Sequence, residues 1–378
     1  MSFAVRFFAF ITAIFMLFTN VISGFTANKT PEDLTQVKNV IFMIGDGMGF
    51  NSIEKTRLEN EVEEFAMDSF ELRGENRTWS SNSLITDSAA GGTALACGVR
   101  TSNGCIGVYP FDTKPTYSYP MSLTDLAYDM GKATGVITTD STSGATPAAF
   151  SAHTAARGNE EDITTQQMNS PFDLIWGKGT SSFSEEVVTD NGFIPVYNKW
   201  DMGLLLPGTR SFAQFSGDCW SQNPPEGMPT IAEMTAKAIS LLAFDTDGFF
   251  LMVEAAHIDK HSHSNDGESM KDSVLAFDDA VEVALDFARL DGNTLVIVTA
   301  DHETGGIALI NGSYRYTNTG HTATNVPLFV YGCDNFIEDG QVINNKEVAI
   351  RTAACMGSEE AFPIQVVIDY SQEDESGG

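Results

Sequence analysis

Short apolar runs that stop abruptly on glycine, carboxylate or other polar residues constrain this chain most. Residues 37–44, 135–138, 249–253, 294–298 and 327–331 have the length of buried strands and are too short for helices. Between them the pattern favours helices over 122–130, 147–156, 230–242 and 269–290. This alternation argues for an α/β fold around a central, largely parallel sheet. In such sheets ligands bind beyond the carboxyl ends of the strands. The reactive residue types fall there: Asp46 after the first run, Glu254 and Asp259 after the third, Asp301 and His302 after the fourth. From about 159 to 228 the pattern weakens and Gly, Pro, Ser and Asn increase, which reads as an insertion forming a rim or lid.

The chain opens with Arg6, an apolar run and then small residues, the layout of a signal peptide over 1–23, leaving 24–378 as the catalytic domain. That apolar run is shorter than the roughly 20 residues a spanning helix needs, and the acidic tail 371–378 is no lipid-anchor signal. Export to the periplasm or the outside medium, without a membrane anchor, is the expectation. The formal net charge of −30 argues against nucleic acid or an anionic membrane as a partner. Five scattered cysteines form no disulfide framework and no zinc pattern, with Cys97 and Cys105 the one pair that spacing suggests.

Five of the six histidines lie between His257 and His321, interleaved with carboxylates in Glu254-Ala-Ala-His257-Ile-Asp259-Lys260-His261-Ser-His263 and Thr299-Ala-Asp301-His302-Glu303. Mixed nitrogen and oxygen donors suit zinc, and an all-oxygen position suits magnesium. Ser88 follows Asp87 and precedes Ala-Ala-Gly-Gly, so a helix can start at the serine and present free amides to a phosphate. Capping is the alternative role for Asp87 or Ser88. Lacking a G-x-S-x-G elbow or a histidine nearby in sequence, Ser88 needs another activator, and a metal ion supplies one. Arg157 can clamp two phosphate oxygens in a fork, or simply be a surface cation.

Together these pieces resemble the alkaline phosphatase family. The matching signatures are Ile-Gly-Asp46-Gly-Met-Gly, Thr-Asp-Ser88-Ala-Ala-Gly-Gly-Thr-Ala, Ala-Thr146-Pro-Ala with Arg157, the segment from Glu254 to His263, Thr-Ala-Asp301-His302-Glu-Thr-Gly-Gly, and Thr-Gly-His321-Thr. The resemblance implies a three-layer sandwich, two Zn2+ and one Mg2+ per chain, small phosphomonoester substrates and a homodimer. Asp259, His263 and His321 would hold one zinc ion, and Asp46, Ser88, Asp301 and His302 the other. Asp46 would also reach a magnesium ion completed by Thr146 and Glu254. Ser88 would be the nucleophile, with Arg157 gripping the phosphate. His153, His257 and His261 match no ligand position.

Gly144 departs from the family pattern: relatives commonly carry Asp or His there, so weak magnesium retention is expected, to be tightened by Asp or His at this position. Lys260, beside Asp259, is placed to reach phosphate through water, as in some relatives, or to pair with a carboxylate. A phosphodiesterase or sulfatase sharing the two-metal core is the alternative enzyme, but Ser88 has no proline two residues on, as sulfatases require. A non-catalytic binding protein would have lost Ser88, Arg157 or a zinc ligand, and all are present.

Dense surface carboxylates repel one another less as salt rises. The thermal midpoint should therefore climb between low and molar sodium chloride; a flat or falling midpoint removes salt adaptation as the meaning of the charge.

Overall fold

The first apolar run forms β1 (Asn39–Gly45), buried at every residue. It anchors the computed structural model, which describes residues 36–110, 118–179 and 184–367. The expected signal peptide, 1–23, and the acidic tail, 371–378, lie outside the described residues. The other strands of the main sheet are β2 (Leu72–Arg77), β3 (Ala133–Ser141), β4 (Leu174–Lys178), β5 (Ile194–Val196), β6 (Ser211–Phe215), β7 (Phe249–Ala255), β8 (Thr294–Thr299), β9 (Val326–Tyr331) and β10 (Val342–Asn344). The ten strands run in the order β10-β2-β9-β8-β1-β7-β3-β4-β6-β5. All pair in parallel except β9, which is antiparallel to β2 and β8.

The nine helices used below are α1 (Phe50–Glu59), α2 (Ser88–Cys97), α3 (Leu123–Asp129), α4 (Ala145–Ala149), α5 (Glu160–Asn169), α6 (Ile231–Leu242), α7 (His257–His263), α8 (Gly267–Asp291) and α9 (Asn345–Met356). Alternate residues of a strand face opposite sides. Val40, Phe42 and Ile44 of β1, with Phe250, Met252, Leu295 and Ile297, join one core cluster with α2, α3, α4 and α9. The other face meets α8, which buries Met270, Val274, Phe277, Val281, Ala284 and Ala288 at helical spacing and packs on α6 and α1. Burial of one such side chain is worth about 1.5–3 kcal/mol, so the fully buried, mostly apolar β1, β7 and β8 make a rigid centre. Their carboxyl ends inherit that rigidity.

Two expectations change. The helix read over 147–156 stops at Ala149, because the chain turns and Thr154 pairs with Ile106 through two backbone hydrogen bonds of 2.8 and 2.9 Å. Within 159–228 lie α5 and three strands, β4, β5 and β6, that extend one edge of the sheet. No described helix is long and apolar enough to cross a membrane.

Asp278, midway along α8, accepts the backbone N–H groups of Ala66 (2.8 Å) and Met67 (3.0 Å), tying down the single 3-10 turn Ala66–Ser69. Burial, aided by the charges of Asp279 and Asp68, pushes its carboxyl up to about 7. The folded state therefore favours the neutral acid, and this stabilisation, complete below the unfolded value near 4, is lost as pH rises through 7. An Asp278→Asn variant does not titrate, so its stability deficit should narrow from pH 5 to pH 8 in denaturant titrations. A deficit that widens contradicts the assignment.

Candidate active site

Ser88 is the first residue of α2, and the capping is done by its neighbour. Asp87 accepts the N–H of Ala90 at 3.0 Å through one oxygen, while the other takes Gly104 N–H at 2.9 Å. The Ser88 hydroxyl is thus free of the cap and lies 3.2 Å from His302 Nε2. The small residues after it are required by packing. A Cβ on Gly91 would stand 2.9 Å from the Asp301 carbonyl oxygen, and one on Gly92 would press on Ala149 and Thr146 at 3.2 and 3.3 Å. Only that run lets the first turn of α2 seat between the β8 end and α4.

Strand ends supply most of the other groups. Asp46 follows β1, Glu254 is the penultimate residue of β7, and Asp301 with His302 follows β8. From β7 the chain passes directly into α7, where Asp259 and His263 share a face four residues apart. His321 enters from a short ribbon in which His321–Thr322 pairs with Glu303–Thr304. Gly47, at φ +71°, passes 2.8 Å from Asp259 at the point where a Cβ would sit, a conformation and a clearance open only to glycine.

Around His302 Nε2 lie Ser88 Oγ at 3.2 Å, Asp301 Oδ2 at 3.2 Å and Asp46 Oδ1 at 3.6 Å. One ring nitrogen cannot serve three acceptors as a donor, and a Ser-His-Asp triad would present its carboxylate to the opposite nitrogen. Here that nitrogen, Nδ1, meets Thr304 Oγ1 at 3.2 Å. The arrangement is a ligand cluster. Two clusters have donor atoms all within 4.8 Å of one another: Asp46, Asp301 and His302, and Asp259, His302 and His321. His263 adjoins the second, its Nε2 being 3.3 Å from Asp259 Oδ2 and 3.1 Å from His321 Nε2. The far nitrogens of His263 and His321 are oriented by the carbonyls of Thr319 (2.6 Å) and Thr86 (2.9 Å), as metal-binding imidazoles usually are.

The charges do not balance among protein groups. Burial raises the Asp46 carboxyl well above its usual range, and the nearby carboxylates Asp301, Asp259 and Glu254 add to it. Burial likewise lifts Glu254 to about 8, against a short hydrogen bond from Thr138. For Asp259 burial acts the same way, but the His263 hydrogen bond and the charge of His302 carry it below the usual carboxylate range. Asp46 Oδ1, Asp301 Oδ2 and the Thr146 hydroxyl are buried without a hydrogen bond from another protein group. Orphaned buried oxygens are costly, and a cation answers all of them, so the donor set fits zinc at the two clusters and magnesium near Thr146 and Glu254.

Asp46, Ser88, Thr146, Glu254, Asp259, His263, Asp301, His302 and His321 thus belong to one region. Arg157 stands at its edge, its side chain 44% exposed and 3.2 Å from Asp87 Oδ2. Lys260 pairs with Asp140 at 2.5 Å. His153 bonds to the Gly107 carbonyl and His257 to Thr139, while Trp220 packs on His257 and His261, on the face of α7 away from Asp259. Cys97 and Cys105 do not pair: their thiols meet the carbonyls of Ala149 and Ala155, and all five cysteines are free. A Cβ on Gly144 would lie 2.9 Å from the Ser141 carbonyl oxygen, so a side chain enters there only if the backbone moves. Sequence reasoning missed Thr304, which donates to Asp259 at 2.5 Å, although it stands inside a quoted signature, and it missed Asp140.

A model of the alkaline phosphatase family matches residues 37–192 and 202–377. "Alkaline phosphatase 3" of Bacillus subtilis is 31% identical over 363 residues, covering 88% of this chain and 77% of its own. The alkaline phosphatase of Schizosaccharomyces pombe is 34% identical over 320 residues, covering 75% of this chain, and this chain spans 59% of that protein's length. The solved alkaline phosphatase of the Antarctic bacterium TAB5 superposes with a TM-score of 0.73 at 32% identity, covering 85% of this chain and 98% of its own.

A ligand present at a thousand times its dissociation constant stabilises a fold by about 4 kcal/mol. Thorough chelation should therefore lower the thermal midpoint by roughly 5–10 °C, and zinc should restore it. A midpoint indifferent to chelation would show that the clusters hold no metal.

Proposed function

The chain belongs to the alkaline phosphatase family, and on that footing we propose that it hydrolyses phosphate monoesters through a phosphoserine formed on Ser88. The observation that carries this reading is the Ser88 hydroxyl, released from capping by Asp87 and aimed at His302 between the two clusters. Asp259, His263 and His321 would hold one zinc ion, Asp46, Ser88, Asp301 and His302 the second, and Asp46, Thr146 and Glu254 a magnesium ion. When bound, these ions supply positive charge that lowers the pKa of the serine hydroxyl and of water and stabilises the leaving oxygen.

The rest follows from the chain's own groups. The amides and dipole at the N-terminus of α2 face the phosphate and favour its negative charge. Arg157 grips two non-bridging oxygens, leaving Asp87 for the phosphate it resembles in charge. Ser88 Oγ loses its proton and bonds to phosphorus as the alcohol oxygen departs and is protonated. Water then attacks the phosphoserine from the side the alcohol left, opposite Ser88 Oγ, and releases inorganic phosphate and the serine. Two displacements retain configuration at phosphorus. The gripped part of the substrate is the phosphate, so small phosphomonoesters of varied alcohols are substrates. Export directed by residues 1–23 and assembly as a homodimer belong to the same proposal.

The test compares p-nitrophenyl phosphate with its diester and its sulfate, for the wild type and Ser88→Ala, before and after chelation. The monoester should be preferred, and Ser88→Ala should cost about a thousandfold or more in kcat. Zinc with magnesium should restore chelated wild type. Monoesterase activity surviving either Ser88→Ala or thorough chelation would falsify the mechanism.

A further inference from the structure

The proposed mechanism leaves one half-buried carboxylate beside Glu254 without a task. Asp140 stands near the carboxyl end of β3, its Oδ2 2.5 Å from Lys260 Nζ. Its backbone N–H donates to Thr138 Oγ1 at 3.0 Å, and that same hydroxyl donates to Glu254. The Asp140 backbone is therefore two hydrogen bonds from the Glu254 carboxylate, through the Thr138 hydroxyl. On its other side is Gly144, which precedes α4 and Thr146 with its unpartnered buried hydroxyl. A Cβ built on Gly144 would lie 3.6 Å from Asp140 Oδ2, in van der Waals contact, so this carboxylate borders the place where a side chain at 144 would start.

We propose that Asp140 is an outer-sphere positioning residue of the magnesium site, supplying from four residues upstream the carboxylate that position 144 lacks. The inference rests on the magnesium assignment made above. Magnesium sheds its waters reluctantly and binds through few protein oxygens, so carboxylates that hold those waters contribute to affinity. Lys260 is the counter-charge of the same carboxylate. A divalent ion beside Glu254 and Thr146 and the ammonium of Lys260 then compete for Asp140, because each cation lowers the negative potential the other experiences. This separates Asp140 from a structural salt bridge: its loss and the loss of Lys260 should move magnesium affinity in opposite directions.

The test is calorimetric titration of magnesium into zinc-loaded wild type, Asp140→Asn and Lys260→Met, with zinc content measured by mass spectrometry and folding checked by circular dichroism. Asp140→Asn should bind magnesium about 10- to 100-fold more weakly, with zinc content unchanged, and Lys260→Met should bind it more tightly. Unchanged magnesium affinity in folded Asp140→Asn overturns the proposal. Parallel weakening in both variants also overturns it, by making the pair a structural unit, as does zinc loss equal to magnesium loss. Wild type that takes up zinc but no magnesium overturns the underlying assignment as well, and the wild-type titration alone reveals that case.

Discussion

The structure depends on an electrostatic conflict at the carboxyl ends of its central strands. Asp46, Glu254, Asp259 and Asp301 are all buried within one pocket, where their charges repel and their hydration is lost. Moving a carboxylate out of water costs several kcal/mol; His263, raised to about 9 by its hydrogen bond with Asp259, answers that one carboxylate, whereas burial pushes His302 toward neutrality and leaves Asp46, Glu254 and Asp301 without a matching cation. Such a pocket persists only if its walls are rigid and cations complete it. The walls here are β1, β7 and β8, paired in exact succession from Val40, Phe250 and Leu295 to the residues just before the ligands.

Rigid strands alone would not bring a nucleophile to that pocket. The close approach of α2 does so, and it depends on missing side chains. Gly91 and Gly92 let α2 rest against Asp301 and Thr146, so that the helix N-terminus, with its free amides, opens onto the carboxylates. Anything larger would lift the helix and separate Ser88 from His302. The same economy of space governs Gly47, where α7 passes with Asp259. Glycine in these positions shapes the site as directly as the ligands do.

How far the sequence revealed this follows from the same physics. Strands buried on both faces read as continuous apolar runs, so β1, β7, β8 and β9 are legible, and so are the ligands that end them. The polar β2, Leu-Arg-Gly-Glu-Asn-Arg, carries no such signal and is recruited by its neighbours β9 and β10. The run after Pro147 has helical composition, yet pairing between Thr154 and Ile106 stops the helix at Ala149. Tertiary contacts also decide what the motifs leave open. His302 belongs to both clusters, Thr304 bridges Asp259 and His302, and the Asp140 carboxylate lies beside Gly144. None of these relations has a linear spacing to betray it.

Arg157 shows why the rim must differ from the floor. Asp46, Glu254, Asp301 and His302 sit at ends of central strands and cannot move far without disturbing sheet pairing, whereas Arg157 lies in the loop after α4, held through its backbone N–H to the Gly104 carbonyl at 2.7 Å. Its guanidinium rests on Asp87, the cap of α2, one residue from Ser88. The contact is half exposed and therefore weak, since surface ion pairs are worth at most about 1 kcal/mol. On the proposed function, a phosphate at the N-terminus of α2 would present a higher charge and a fork-matching pair of oxygens, so exchanging Asp87 for it would be downhill. The pair holds the Arg157 guanidinium on the residue before Ser88, and its weakness would let a substrate phosphate displace it.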